Sequence, residues 1–275
     1  MEAMEHRDWH SLLAAAAEHK SLALAAVIVV AAALRWQALS ASAGAVETSR
    51  SYLPVMAGAS CAPIPGEGYS VVTLDGSHPS LAAELHPDLN LAVRGYAPTS
   101  AESRLVDYGG SADARAPQLA GLLAGRSVCF DAAYQVLDWD WDAMCRGARI
   151  LDPVVTALGF VVHHGVTVHV PASGYTIGDG WEVLVLYASH ERITLKYTRE
   201  DNVVLGYTLH VEHVCVEPRL LSLYETCEAQ GRTCLPALAE GQAFGRARGD
   251  QVVVAIRDHG RFLDPRSRKD WWQGY

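Results

Sequence analysis

Hydrophobic runs with the period of a β-strand, separated by turn residues, dominate the chain after residue 66. Residues 165–174, GVTVHVPASG, alternate and then turn, and residues 181–187 and 193–197 flank a polar turn. Residues 251–256, QVVVAI, are rich in Val and Ile and contain no breaker, which is typical of a buried strand. The DHG turn at 258–260 predicts a hairpin that closes this strand.

Weaker β patterns extend this picture, and only residues 220–228 predict a convincing helix in the second half of the chain. In residues 137–142, LDWDWD, a strand would place the acids on one face and the tryptophans on the other, which predicts an edge strand with an inward Trp face. Further strands are predicted at residues 69–74, 89–94, 104–108 and 207–216. Short strands with regular turns and little helix predict a mainly β fold, a barrel or a sandwich.

The longest uncharged apolar run, residues 21–34, has 14 residues, whereas a membrane span needs about 20. Arg35 and Trp36 follow it and suit a membrane interface, which favours an uncleaved anchor with a transmembrane helix at 21–40 behind a leader at 1–20. The shortness of the run and the small residues at 41–43 indicate a cleaved signal peptide instead. A buried helix is the third interpretation.

Composition divides the rest of the chain into three parts. Residues 41–66 are rich in Ala, Ser, Gly and Pro and predict a linker. Residues 67–150 predict a small β-rich accessory region. Residues 151–275, where the β signal is strongest, predict the main C-terminal domain.

The net charge of −9 argues against nucleic acid as a partner, because duplex binding depends on neutralising phosphates with Lys and Arg. The tail from Arg257 onward is locally basic, and a solvated chain end is one interpretation of it. Trp and Arg are frequent interface anchors, so the tail also predicts contacts with a partner protein. The candidates for these contacts are Arg266, Arg268, Trp271 and Trp272.

An even number of cysteines, all after the apolar run, is typical of disulfide bonds in an exported domain. The candidates are Cys61, Cys129, Cys145, Cys215, Cys227 and Cys234. Cys227 and Cys234 flank a short loop and form the predicted local pair, while the other pairings stay open. Six buried thiols in a cytosolic protein are the alternative. The exported interpretation places the C-terminal part outside the cytoplasm.

Four segments, in order, resemble phrases that recur in the lysostaphin-type (LytM-like) zinc metallopeptidases of cell walls. Residues 165–174 resemble GTPVYAPADG, residues 193–200 (ITLKYTRE) resemble VTLYAHL, and residues 238–245 (LAEGQAFG) resemble V..GQ.IG. Residues 251–265 resemble the closing HLHFEVR.NG..VDP without a gap. The resemblance implies a barrel-sandwich of the duplicated hybrid motif type, in which residues 205–235 are an insertion.

The chemical residues of that family are replaced at the matching positions. Active members bind zinc through an early His and Asp and the second His of H-x-H, and further histidines assist catalysis. Here H-x-H falls on Gln251 and Val253, the YAHL histidine on Arg199, and the early pair near Val155 and Gly159. Val and Gly supply no ligand, and Arg stays protonated. The resemblance therefore implies a vestigial cleft at Arg199, Gln251 and Val253, with no catalytic residue, metal or cofactor.

A second His-containing segment, residues 206–212 (GYTLHVE), also resembles the closing motif but precedes the Gly-Gln turn. On a strand His210 and Glu212 share one face while His213 points away. These three residues are the remaining metal-ligand candidates, and without help they do not make a three-ligand site. The alternative, satisfied or exposed histidines without a metal, is favoured.

These patterns predict a single-pass membrane protein with an extracytoplasmic C-terminal domain, periplasmic or extracellular. Relatives without zinc ligands activate cell-wall hydrolases or build envelope assemblies. The resemblance therefore implies a non-catalytic binding or scaffold protein with envelope protein partners, and peptidoglycan as a further ligand. Two alternatives remain. One is an active cell-wall zinc endopeptidase with a rearranged metal site, and the other is an accessory structural subunit of a large membrane complex.

Overall fold

The computed structural model describes residues 61–275 except Asp75 and Ser77. The predicted leader, the predicted transmembrane helix at 21–40 and most of the linker at 41–66 lie outside the described residues. Among the residues described, no helix is both long enough and apolar enough to cross a membrane.

Short strands make up most of the regular structure of the described residues, which confirms the prediction of a mainly β fold. The strands are β1 (Ser70–Thr73), β2 (Tyr96–Pro98), β3 (Cys129–Asp140), β4 (Cys145–Arg149), β5 (Ala157–Val161), β6 (Thr167–His169), β7 (Val183–Ala188), β8 (Arg192–Lys196), β9 (Tyr207–Glu212), β10 (Val214–Val216), β11 (Cys234–Leu238), β12 (Ala243–Ala247), β13 (Gln251–Asp258) and β14 (Arg261–Leu263). The α-helices are α1 (Leu91–Arg94), α2 (Pro218–Ala229) and α3 (Arg268–Trp271).

Two antiparallel sheets organise these strands. The larger sheet runs β1-β11-β7-β8-β9-β13-β5-β3-β2, with β14 beside β13 and β4 beside β3, and the smaller sheet runs β10-β12-β6. The larger sheet continues across the predicted boundary at residue 150, because β5 pairs with both β3 and β13. The segment predicted as an insertion, 205–235, supplies β9, which lies centrally between β8 and β13.

The main core lies on one face of the larger sheet. Val252, Val254 and Ile256 of β13 are no more than 1% exposed and belong to the same buried cluster as Val168 and Phe244 of the smaller sheet. Burying each side chain of this size contributes about 1.5–3 kcal/mol. The alternate residues of β13 belong to the other face, which carries polar groups and positions the cleft described below.

Helix α2 covers the predicted residues 220–228 and extends two residues before and one residue after them. The carboxylate of Glu217 accepts hydrogen bonds from the backbone N–H groups of Arg219 and Leu220, and Pro218 occupies the first turn. Both features satisfy or avoid unpaired N–H groups at a helix start. A disulfide between Cys227 and Cys234 then ties the end of α2 to β11.

Two strand predictions from the first half of the chain are wrong. Residues 89–94 form the short helix α1, which begins where the Asn90 side chain accepts the N–H of Ala92. Residues 104–108 contribute only an isolated bridge at Val106. The prediction for 207–216 is divided into β9 and β10, because His213 between them has a φ of 61°.

Candidate functional site

A polar cleft of about 470 Å³ lies where β13 begins. Loops that follow β7, β9 and β12 surround it, and the lining residues are Glu191, His213, Arg248, Gly249, Asp250 and Gln251. Gln251 stands opposite Val161 of β5, and Val253 stands between Gly159 of β5 and Glu212 of β9. The register therefore places Gln251, Val253 and Gly159 next to one another on neighbouring strands.

The Gln251 amide is held by side chains of β3. Its Nε2 donates to Oδ1 of Asp131 at 2.8 Å, and its Oε1 accepts from the Tyr134 hydroxyl at 3.0 Å. A Cβ atom at Gly159 would lie 2.7 Å from the Gln251 Nε2. Since that approach is shorter than a non-bonded contact allows, glycine at 159 makes room for the amide of Gln251.

The ion pair of Glu191 with Arg248 lines the cleft, and the ion pair of Glu212 with Arg192 lies on the nearby strands β9 and β8. Glu212 is 3% exposed and accepts a hydrogen bond from Nε of Arg192 at 2.9 Å. Burial raises the pKa of the Glu212 carboxyl, and Arg192 offsets only part of that shift. The hydrogen bond from Arg248 lowers the pKa of Glu191, which lies nearer the solvent.

His213 is the most distinctive residue of the lining. Its positive φ turns the chain between β9 and β10, and its Nε2 lies 3.3 Å from the Tyr96 hydroxyl. Burial lowers the pKa of the imidazole, and the nearby guanidinium of Arg192 lowers it further. The ring is therefore neutral near pH 7 and offers one donor and one acceptor.

The three metal-ligand candidates do not converge on one point. His210 is 1% exposed inside the sheet face, Glu212 is engaged by Arg192, and His213 lines the cleft. No group of three or more His, Cys, Asp and Glu side chains that could hold a metal ion occurs among the residues that the structure describes.

The protonation state of His210 follows from its hydrogen bonds. The Thr194 hydroxyl donates its proton to the carbonyl oxygen of Leu89 at 2.6 Å and lies 3.0 Å from Nδ1 of His210. Because that proton is used, Nδ1 must donate to Thr194, and the ring is the neutral Nδ1–H tautomer. Nε2 is buried and has no partner in the described part of the chain.

Acid should destabilise the protein through His210. Burial, with Arg257 adding to it, lowers the pKa of His210 from 6.5 to about 3. The folded pKa lies below the unfolded one, so this contribution is complete above pH 6.5 and is lost progressively as the pH falls from 6.5 towards 3. We expect a loss approaching about 1.4 kcal/mol per pH unit well inside that window.

The measurement is urea unfolding between pH 7 and pH 4.5, compared with His210→Asn. The substitution removes the titrating ring, so the variant should show a shallower dependence of the unfolding free energy on pH. Parallel curves for the two proteins would contradict the assignment of this slope to His210.

The vestigial cleft predicted from the resemblance is not assembled as one site. Lys196, three residues before Arg199, pairs with Thr208 of β9, which in turn pairs with Arg257 near the C-terminal end of β13. Since β13 has eight residues, its ends are roughly 23 Å apart, and Arg199 lies at the end opposite Gln251. Val253 is fully buried and does not reach solvent.

Four of the six candidate cysteines form disulfides. Cys61 bonds to Cys215 and Cys227 bonds to Cys234, so the predicted local pair is confirmed. Cys129 and Cys145 are exposed free thiols. The first bond ties the start of the described chain to β10, two residues from His213.

The expectation of an exposed Trp pair at the end of the chain is corrected. Trp271 and Trp272 are 3% and 1% exposed, and the Trp272 ring packs against Phe130 and Phe160 with centroids 5.2 and 5.5 Å away. Arg266 is also buried, where it pairs with Asp264. Arg268 alone among the four candidates stays substantially exposed, with Asp107 as its partner.

No protein-family model, curated protein or solved structure matches this chain. The likeness to lysostaphin-type peptidases therefore stays a prediction from short motifs, and the cleft itself has to support any function. Several side chains at the cleft escaped the sequence patterns, and those that make hydrogen bonds there come from β3 and from two loops that no local motif connects. They are Asp131, Tyr134, Glu191 and Arg248.

Proposed function

We propose that this chain is a membrane-anchored, extracytoplasmic binding protein that works without a metal and without catalysis. One observation carries the proposal. The amide of Gln251 occupies the space above Gly159, and this is the place where the resemblance would require zinc ligands. Val253 and Gly159, which pair across β13 and β5, have no side-chain atom that could bind a metal. The Gln251 amide already makes hydrogen bonds with Asp131 and Tyr134.

The cleft has the chemistry of a recognition surface for a partner protein. It offers the neutral imidazole of His213, the amide of Gln251 and the ion pair of Glu191 with Arg248 around an open volume. Tyr96 and Tyr134 stack edge to face at 5.1 Å behind these groups. Such mixed donors and acceptors can hydrogen-bond the peptide and side-chain amides of a partner, while the aromatic rings provide apolar contacts.

Two disulfides support an extracytoplasmic position, because such bonds persist in oxidising compartments.

Site-specific photo-crosslinking in host cells tests the binding role of the cleft. Arg248 and Arg199 are matched positions, since each side chain is 45% exposed and each pairs with one carboxylate. We expect a photoreactive residue at 248 to give a discrete adduct of the full chain with an envelope protein, and the same residue at 199 to give none. Equal labelling from both positions, or no adduct from 248, would overturn the proposal.

Zinc content separates this proposal from an active peptidase. We expect the purified, tag-free full chain to retain substoichiometric zinc after dialysis, because the cleft lacks three convergent ligands. Stoichiometric zinc that is lost on Glu212→Gln would favour the peptidase with a rearranged site. Co-migration with a fixed set of subunits after gentle detergent extraction would favour the third alternative, a structural part of a large complex.

A further inference from the structure

The outer half of the β3–β4 hairpin carries a surface that the proposed function does not use. All five residues of β4 are exposed, and the turn before it holds Trp141 and Met144, which are 48% and 50% exposed. The sequence pattern predicted an inward Trp face here, and the structure corrects that for Trp141. Apolar side chains of this size, exposed together on an ordered hairpin, indicate an interaction surface.

The edge of β4 is open for strand pairing. β4 pairs with β3 on one side, and within the described residues its other side pairs with no strand. The two arginines of β4 leave that edge free, because Arg146 donates to the carbonyl oxygens of Ala92 and Val93 at 2.8 Å, and Arg149 donates to that of Pro98 at 3.1 Å. Folded proteins usually guard such an edge with Lys, Pro or a covering element.

Exposed apolar residues flank β4 at both of its ends. Trp141 and Met144 precede the strand, while Leu151 and Val154 follow it and are 68% and 53% exposed. Antiparallel pairing of β4 with a copy of itself reverses one strand. Trp141 and Met144 of one copy then lie near Leu151 and Val154 of the other copy, so the surface is complementary to itself.

We propose that β4 pairs antiparallel with β4 of a second copy of this chain, about a two-fold axis at Gly147. This register sets Arg146 opposite Ala148 of the second copy, and Arg149 opposite Cys145, so no like charges face each other. Asp140 pairs with Cys145 within its own hairpin, which leaves its carboxylate one strand from the incoming Arg149. The interface is isologous, as in most closed dimers, and joins the two larger sheets into one.

The free thiol of Cys145 reports on this register. A two-fold axis at Gly147 offsets the two Cys145 residues by four positions along the strands, roughly 13 Å. The other free thiol, Cys129, lies at the opposite end of β3, where it pairs with Val161 of β5. A full-length Cys129→Ser protein therefore carries Cys145 as the free thiol among the described residues.

Cross-linking of purified full-length Cys129→Ser with a bismaleimide that spans about 13 Å tests the pairing and its register. We expect a covalent dimer, and no dimer from the Cys129→Ser, Cys145→Ser protein. Rapid formation of a direct Cys145–Cys145 disulfide under mild oxidation would overturn the register, because the two sulfurs would then be in contact.

Sedimentation equilibrium of the cysteine-intact full chain under reducing conditions tests the apolar contacts. Trp141→Asp and Leu151→Asp should each weaken dimerisation roughly a hundredfold by placing an acid in the interface. Val204→Asp is the matched control, since Val204 is 62% exposed on the loop between β8 and β9 and lies outside the proposed interface. A monomeric parent protein would overturn the proposal, and would be the result if β4 binds a strand of another protein instead. Equal weakening of dimerisation by all three substitutions would also overturn it.

Discussion

Replacing Cys61 and Cys215 together by serine should lower the free energy of unfolding by about 5 kcal/mol, while replacing Cys227 and Cys234 should lower it by about 2.5 kcal/mol. The difference comes from the loops that the two bonds close, with sequence separations of 154 and 7 residues. A crosslink restricts the unfolded chain more as its loop grows, so the longer loop gives the larger effect.

Urea unfolding of the unreduced full chain, followed by tryptophan fluorescence, measures both variants against the parent protein. Neither double substitution touches Cys129 or Cys145, whose free thiols provide an internal count by alkylation of the denatured protein. Equal losses in the two variants would contradict the loop-closure argument. Four reactive thiols in the unreduced parent, instead of two, would contradict the pairing itself.

Asp201→Ala should destabilise the protein by about 3 kcal/mol, because Arg232 loses its buried carboxylate partner and keeps only the ion pair with the partly exposed Glu228. The Asp201 carboxylate accepts two hydrogen bonds from Arg232, at 2.8 and 2.6 Å, and the two side chains are 2% and 6% exposed. Arg232 also donates to the carbonyl oxygen of Leu186 and to the Tyr224 hydroxyl. These contacts hold the loop before β11 against β7, so the guanidinium cannot move out to solvent without breaking them.

Glu102→Ala provides the comparison for an exposed ion pair. Glu102 and Arg104 form a pair whose side chains are 68% and 70% exposed, and its loss should cost less than about 1 kcal/mol. Both variants are measured by the same urea titration at neutral pH. If Asp201→Ala and Glu102→Ala gave similar losses, the Arg232 cluster would not stabilise the fold in the way its burial indicates.

The strands that could be predicted from the sequence are those with an uninterrupted local pattern. β13 and its return through β14 were predicted within a few residues, because Val and Ile at 252–256 and the turn at 258–260 act locally. Helix α1 was missed, since its short sequence has no helical period. Its last residue, Arg94, pairs with Asp88, six residues earlier. The same carboxylate binds Arg257 of β13, 169 residues away, and no local pattern indicates that contact.

The candidate site could be predicted at Gln251 and at His213, but not at the residues that surround them. The partners of Gln251 lie 117 and 120 residues away, at Tyr134 and Asp131, and strand pairing that no local pattern specifies brings them together. The Trp pair was misjudged for a related reason. The exposure of a tryptophan near the end of the chain depends on the residues that pack against it. Trp272 packs against the ring of Phe130 on β3, which is distant in sequence.

The bond between Cys61 and Cys215 also decides how the domain carries mechanical load. If the chain is anchored before residue 61, as the sequence predicts, tension on that anchor would reach the described part of the chain at its first residue, Cys61. The covalent link passes that tension directly to β10 in the smaller sheet. β1, an edge strand that pairs with β11, would then lie outside the path of that tension. The disulfide also lies close to the cleft, because Cys215 follows His213 by two residues.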